Sequence, residues 1–533
     1  MKNNKIFEKV NSMAITSSYG EKKEKVLKLK KLELKVKKID MMTGSMIVVL
    51  NAQFAHQNDI FTSYRVLLSH GKKSAIAIVD LSNDMVLPGQ IGLFQEVSST
   101  LGISDGQSLE LHLVKRPDSI EYIKSKIDGH ALTPPQISSI IKDVMANQLS
   151  EGELAAFMTS CYINGMNDDE VVGLTEAIVN TGDRLKIGKH PILDKHCIGG
   201  VAGNRTTMVI VPIAAAAGCY MPKTSSRSIT SASGTADTME VLCPVTMPIN
   251  DMTEQVRKVG GCIVWGGAVN LAAADDKLIK VRNPLSLDPK GVLLSSILAK
   301  KKSVGAEYCI IDIPIGRGVK VANVAEARAL AGNFISIGKR LGIEIESLIT
   351  NGEDPIGNGI GPSLECIDVL KVLEGKGPAD LSEKSFLMAG KLLELCGKAK
   401  KGTGYGIAAS LVKSGKALAK FKEIVEWQGG DSRKLSSSSI PLAKYHHQVK
   451  ADHSGRISHM DNKLLSRVAR AAGAPADKEA GIFLYCEKGD MIIKGAPVME
   501  IYSNSESKLD VALKVLEEFE PVELEKVVLD SLR

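Results

Sequence analysis

The stretch Asp194-Lys195-His196-Cys197-Ile198-Gly199-Gly200-Val201-Ala202-Gly203-Asn204-Arg205 runs straight into Thr206-Thr207-Met208-Val209-Ile210-Val211-Pro212. A glycine-rich turn lets backbone N–H groups approach an anion closely. Lys195 adds a mobile point charge of the kind that suits phosphate. Taken alone, structural turns explain most such stretches. The residues downstream of the turn carry more weight. Thr206 to Pro212 reads as a largely apolar strand, and Ala214 to Ala217 open a small-residue helix. Gly261 to Trp265 and Tyr308 to Ile313 read as further buried strands, with helical segments between them. Strands alternating with helices predict a mainly parallel sheet covered on both faces.

Outward from this core the pattern changes twice. Upstream, helical periodicity covers the region from about Ser119. Thr133 is a candidate cap before Pro134-Pro135, and Ile137, Ile140, Ile141 and Val144 come next at spacings of three and four. A second such helix covers Asp168 to Thr181, with Asp168 or Asp169 available for capping. Further upstream, Leu32 to Val114 shows short β-like runs at Ile47 to Leu50, Ser74 to Val79 and Leu109 to Leu113, which predicts a small β-barrel-like module. Downstream, the helices stop after Gly430. Val449 to His459 and Gly481 to Ser503 have strand-and-turn character, a third module.

The chain has 533 residues, 44% of them hydrophobic and 24% charged, which allows large cores in several domains. Aromatics are 4%, so those cores are aliphatic and favour α/β layers. Net charge is +6, and lysines crowd the start of the chain at Lys22, Lys23, Lys25, Lys28, Lys30 and Lys31. A lysine run can be a nucleic-acid arm. Without arginines, and with few aromatics, this one reads as a solvated tail over 1–30. Nine cysteines at irregular spacing form no CxxC pair, so neither a zinc site nor a disulfide framework is indicated. A reducing cytoplasm is expected. Residues 1–40 hold no secretory h-region, and the apolar run Met208 to Cys219 is too short to span a bilayer.

The strongest site signal is Lys223-Thr224-Ser225-Ser226-Arg227-Ser228-Ile229-Thr230-Ser231-Ala232-Ser233-Gly234-Thr235-Ala236-Asp237-Thr238-Met239-Glu240. Several neutral donors and one planar guanidinium fall in a short span after an apolar stretch, which is what a phosphoester and a ribose require. This segment resembles the signature of the thymidine and pyrimidine-nucleoside phosphorylases, which ends in Gly-Thr-x-Asp-x-x-Glu. Asp194 to Gly200 is similar to that superfamily's phosphate loop, with Cys197 where serine is usual. Within the superfamily, the version of the loop from Lys223 to Ala232 resembles the AMP phosphorylase family, as do Trp265 to Ala272 and Asp312 to Lys320. The resemblance runs from about residue 32 to near the C-terminus.

The resemblance implies a multidomain α/β architecture. Beyond the tail over 1–30, which falls outside the resemblance, it has a small N-terminal β-barrel-like module over 31–117 and a phosphorylase core over 118–440. That core holds a discontinuous helical subdomain (118–187 and 272–303) and a large mainly parallel α/β subdomain (188–271 and 304–440). A C-terminal α+β domain completes the chain over 441–533. The resemblance also implies that Gly200, Ser226, Arg227, Ser228, Ile229, Thr230, Ser231, Thr235, Ser296 and Lys320 bind the nucleotide. Asp288 is then the proton donor to the leaving base, and Lys195 and Lys300 match lysines that approach phosphate or base. The implied reaction is AMP plus phosphate giving adenine and ribose 1,5-bisphosphate, with CMP and UMP as further substrates. Inorganic phosphate is a co-substrate; no cofactor and no metal is implied, and the relatives are homo-oligomers. No nucleic-acid or membrane partner is expected.

The chemistry fits these residue types. Cleaving a C–N glycosidic bond passes through an oxocarbenium-like state, and adenine leaves poorly unless a ring nitrogen is protonated. General acid catalysis there contributes about 10²–10⁴-fold. On the residues alone Asp288 reads as a helix cap before Pro289. His196 reads equally as an acid–base group or as a packing residue that shapes the loop. Asp275 and Asp276 read as a helix-terminal pair. The alternatives are a pyrimidine-nucleoside phosphorylase, which would carry a glycine-rich loop in place of Ser228 to Ser233, a phosphoribosyltransferase of the anthranilate type, and a nucleotide-binding sensor without turnover.

Overall fold

A computed structural model describes residues 31–228, 231–285 and 287–525. The expected tail over 1–30 lies outside the described residues, as do Ile229 and Thr230. Internal contacts divide the chain into two compact units, Met1–Thr181 with Ala273–Leu293, and Gly182–Ala272 with Leu294–Arg533.

In the first unit six strands close a barrel. They are β1 (Lys31–Lys38), β2 (Ile47–Asn51), β3 (Arg65–His70), β4 (Lys73–Ser82), β5 (Gln90–Leu93) and β6 (Ser108–Val114), in the order β1-β5-β2-β4-β3-β6. The alternation in Lys31 to Lys38 sends Leu34 and Val36 inward and the lysines outward. Leu50, Val66, Leu68, Val79, Ile91 and Leu111 fill the interior. Closure leaves no free strand edge, which suits so small a module. Helices Ser119–Ile127, Pro134–Met145, Glu151–Asn164 and Asp168–Thr181 form a bundle joined by Ala273–Arg282. Thr133 and Gln136 form a capping box ahead of Pro134, and Ile137, Ile140, Ile141 and Val144 are buried on one stripe. Barrel and bundle are tied by Arg65, 7% exposed, whose guanidinium donates to the Gln148 carbonyl and pairs with Glu153.

The second unit holds the α/β core. Strands β7 (Leu193–Cys197), β8 (Met221–Ser225), β9 (Gly261–Trp265), β10 (Tyr308–Ile315) and β11 (Glu344–Asn351) are all parallel, in ladders β11-β10-β7 and β8-β9. A bridge between Ile192 and Tyr220 links the two. One expectation is corrected: Thr206 to Pro212 is not a strand but the first two turns of the helix Thr206–Ala216. Every residue from Thr206 to Ala215 is buried, so the helix is apolar all round and shows no 3.6-residue stripe. Without that stripe a β-branched run cannot be told from a buried strand.

The C-terminal part adds β12 (Gly359–Ile360), β13 (Tyr445–Lys450), β14 (Gly455–Met460), β15 (Gly481–Leu484), β16 (Met491–Ile492), β17 (Pro497–Ser503) and β18 (Val522–Glu525). They form antiparallel sheets β12-β15-β17-β13 and β16-β14-β18. Helices do not stop at Gly430, because Asn462–Ala472 and Glu506–Glu518 pack on these sheets. The first is capped by Asp461, which accepts from the Lys463 and Leu464 amides, and buries Leu465, Val468, Ala469 and Ala472. That periodic stripe is present in the sequence and is helical.

Candidate active site

The parallel strands end in two loops that the second unit brings together. The Asp194 loop leaves β7, turns at Gly199 and Gly200 and enters the helix at Thr206. Gly200 has φ +103°, and a Cβ there would come within 2.8 Å of the Val319 Cα. The glycine therefore permits the close approach to the loop after β10, in which Val319 precedes the exposed Lys320.

Beneath the loop lies a set of buried charges. Asp194, fully buried, accepts from Lys301 Nζ at 2.6 Å and pairs with Lys223 Nζ at 3.3 Å. Asp312, also fully buried, lies 3.2 Å from Lys384 Nζ and 3.9 Å from Lys195 Nζ, and accepts from Thr350 Oγ1 at 2.7 Å. Lys195 donates to Thr206 Oγ1 at 2.9 Å. Burial alone would raise both carboxyls, but the adjacent ammonium groups override it and hold both below the ordinary range. Burial pushes Lys195 down as well, and Lys223 down to about 8 against the pull of Asp194. Four ammonium groups thus face two carboxylates, a cluster that favours an anion at its rim. His196 is half-buried, and desolvation with the charges of Lys301, Lys223 and Lys195 drives its pKa well below the ordinary value. That environment favours the neutral imidazole over the charged form. Cys197 is likewise a thiol, pushed up to about 11 by burial, and takes a contact from Asn204 Nδ2 at 3.5 Å.

The serine-rich loop is clamped by its own signature. Asp237 accepts from the Ser228 amide at 2.7 Å and the Gly234 amide at 2.8 Å, closing the loop at both ends. Glu240 holds Arg227 through both Nη atoms at 2.6 Å each, and the guanidinium lies 4.9 Å over the Trp265 ring. That fork holds the Glu240 carboxyl down at about 2. Arg205 joins the two loops. Its guanidinium pairs with Glu365, donates to the Ser233 carbonyl, and reaches Thr238 Oγ1 at 3.1 Å. Ser231 accepts on its carbonyl from Arg470 at 3.2 Å.

Lys195 near the end of β7, Thr235 at the start of the helix Thr235–Met239, and Gly200, Ser226 to Ser228 and Ser231 on the loops between therefore belong to one connected region of the second unit. Ser296 is buried and Lys300 half-buried on the helix Lys290–Ser303, whose inward lysine is the neighbouring Lys301. Asp288 is exposed in the first unit, where Arg282 Nη1 donates to its carboxylate. Asp275 and Asp276 fall in the first turn of Ala273–Arg282. Sequence reasoning gives no separate role in the site to Lys223, Lys301, Asp312, Lys384, Arg205 and Arg282. Asp237 and Glu240 are legible as the acids of the signature. Asp312 opens one of the family-like stretches, but Lys384 lies far from any motif on the helix Ala379–Leu395 and meets Asp312 only because that helix packs against β10.

Three matches to known families parallel this layout. Residues 120–182 match the helical bundle domain of a glycosyl transferase family, residues 189–418 its a/b domain, and residues 456–520 the pyrimidine nucleoside phosphorylase C-terminal domain. A solved anthranilate phosphoribosyltransferase from Thermus thermophilus is similar in fold, with TM-score 0.50 and 18% identity, over 57% of this chain and 98% of that one. Fold and site thus define a glycosyl transferase of the pentosyltransferase kind. An AMP phosphorylase of Methanococcoides burtonii is 44% identical over 503 residues, covering 94% of this chain and 99% of the relative. Those of Thermococcus kodakarensis and Pyrococcus furiosus are each 43% identical, over 94% and 93% of this chain. The chain belongs to the AMP phosphorylase family.

Proposed function

We propose that this protein cleaves AMP with inorganic phosphate, giving adenine and ribose 1,5-bisphosphate, and that CMP and UMP are further substrates. The observation that carries the reading is the pair of adjoining anion-suited loops. The Lys195–Gly200 loop over the lysine cluster suits the attacking phosphate, and the clamped Ser226–Ser231 loop suits the 5′-phosphate. A site built to pair a phosphate leaves desolvated donors unmet when a nucleoside binds instead, which favours nucleotides.

In this reading Thr235, Ser296 and Lys320 complete the nucleotide site, and Lys300 approaches phosphate or base. Attack at C1′ breaks the bond to adenine as negative charge develops on the base. Asp288 is the group the resemblance assigns to proton donation: protonated from solvent and released from Arg282, it passes that proton to a ring nitrogen as the C1′–N bond breaks, which makes the base a better leaving group. Neutral His196 packs and shapes the loop. The enzyme would act as a cytoplasmic homo-oligomer with no metal or organic cofactor.

The test is phosphate-dependent release of free base from AMP, CMP, UMP, adenosine and thymidine, with Asp288→Asn alongside. Release from AMP and not adenosine, reduced about 10²–10⁴-fold in the variant, is expected. Turnover of nucleosides alone would move the protein to the pyrimidine-nucleoside branch. Binding without release from any substrate would make it a sensor.

A further inference from the structure

The guanidinium assigned to the 5′-phosphate is already engaged. Both Arg227 Nη atoms lie on Glu240, Asp237 Oδ1 is 3.5 Å from Nη1, and Trp265 stacks beneath. A guanidinium paired with a carboxylate attracts phosphate weakly, and pulling it away leaves that carboxylate uncompensated. A second cation is in place to prevent this. Lys478 Nζ lies 2.7 Å from Glu240 Oε2, the same oxygen that Arg227 Nη1 holds, and 3.5 Å from the Glu240 carbonyl. Lys478 is carried on the turn between Asn462–Ala472 and β15, and its own carbonyl is anchored by the Ser363 amide at 2.9 Å. Arg470, from the helix before that turn, holds the Ser231 carbonyl. The C-terminal module therefore holds the serine-rich loop directly at Ser231, and it also holds Glu240, the residue that pairs with Arg227.

We propose that Lys478 is a specificity-determining positioning residue: it keeps the Glu240 carboxylate paired when a 5′-phosphate draws Arg227 away, so the C-terminal module sets the affinity for nucleotides. This rests on the reading that Ser226 to Ser231 take the 5′-phosphate. It makes Glu240 a competitor for Arg227, and Lys478 the group that weakens the competition.

The experiment measures AMP affinity by calorimetric titration of the full chain in phosphate-free buffer, which needs no turnover, and KM for AMP and for phosphate. The proteins are wild type, Lys478→Gln, Lys478→Arg, Glu240→Gln and the double Glu240→Gln/Lys478→Gln. The pairs are partly exposed, so the expected loss of AMP affinity in Lys478→Gln is about 3–10-fold, shrinking at high salt. KM for phosphate should move less than about twofold, since its site is carried by other cations. Lys478→Arg should restore AMP affinity. In the Glu240→Gln background, Lys478→Gln should cost nothing further. Three results would each overturn the proposal: no loss in Lys478→Gln, equal losses for AMP and phosphate, or the same loss with Glu240 neutralised. If the expected pattern appears in binding but no base is released, the proposal stands and the phosphorolysis reading fails. If wild type does not bind AMP, both fall.

Discussion

At the scale of the residue, Lys223 shows how burial makes an ordinary side chain pH-sensitive. Its ammonium is desolvated beside Asp194, and its pKa falls from 10.5 to about 8. An unfolded lysine keeps its proton to the higher value. Between the two, the unfolded chain binds more protons, so this group's contribution to stability rises with pH through that window. Its contribution to anion binding runs the other way, because charge is lost above about pH 8. KM for phosphate should therefore climb between about pH 7 and 9 in the wild type, and Lys223→Arg, which keeps its charge, should flatten the climb. A wild-type profile that is flat across this range would remove Lys223 from the anion field. Nothing in the sequence marks this lysine as distinct from the other residues of its loop. Its partner Asp194 lies on β7, and only the placement of β7 beside its neighbours reveals what each touches.

At the scale of the element, the serine-rich loop depends on one small residue. A Cβ on Gly234 would lie 2.5 Å from the Ser226 carbonyl oxygen and 2.8 Å from the Arg227 carbonyl carbon. Its φ is −104°, so alanine there meets no backbone strain, only the collision. Gly234→Ala should displace Ser226 and Arg227 and raise KM for AMP by about tenfold or more, since a 1 Å misplacement costs on the order of 10²-fold in demanding cases. Melting temperature should fall by only a few degrees, as about 1 kcal/mol of overpacking would give. A large drop in stability with unchanged KM would reverse the assignment. This loop is the most legible part of the molecule, because its hydroxyls, arginine and two acids all lie within eighteen residues of sequence. The helix Thr206–Ala216 is the least legible. It is buried on every side, so its sequence lacks the polar face by which helices are recognised.

At the scale of the whole molecule, alternation and periodicity are enough to predict a barrel-like module, helices after it and a parallel α/β core, whereas the helices Asn462–Ala472 and Glu506–Glu518 of the C-terminal part are not read from the pattern. The ionic links between elements are not legible, since each joins residues tens to hundreds of positions apart. Arg65 is one such link, holding barrel to bundle within the first unit. Arg65→Ala should cost about 1.5–3 kcal/mol, the value of hydrogen bonds to a charged group. It should also speed proteolysis between residues 114 and 119, while KM for AMP stays near the wild-type value. Equal cleavage in both proteins would show that the barrel needs no such tether. The buried lysines have a wider consequence. Four ammonium groups against two carboxylates make the folded core self-repelling, so a doubly charged anion at its rim relieves electrostatic pressure that the chain otherwise bears alone. By mass action, phosphate at a hundred times its dissociation constant would add about 2.7 kcal/mol to the folded state. Melting temperature should therefore rise with phosphate concentration if the cluster is the anion site, and a melting temperature indifferent to phosphate would separate the cluster from phosphate binding.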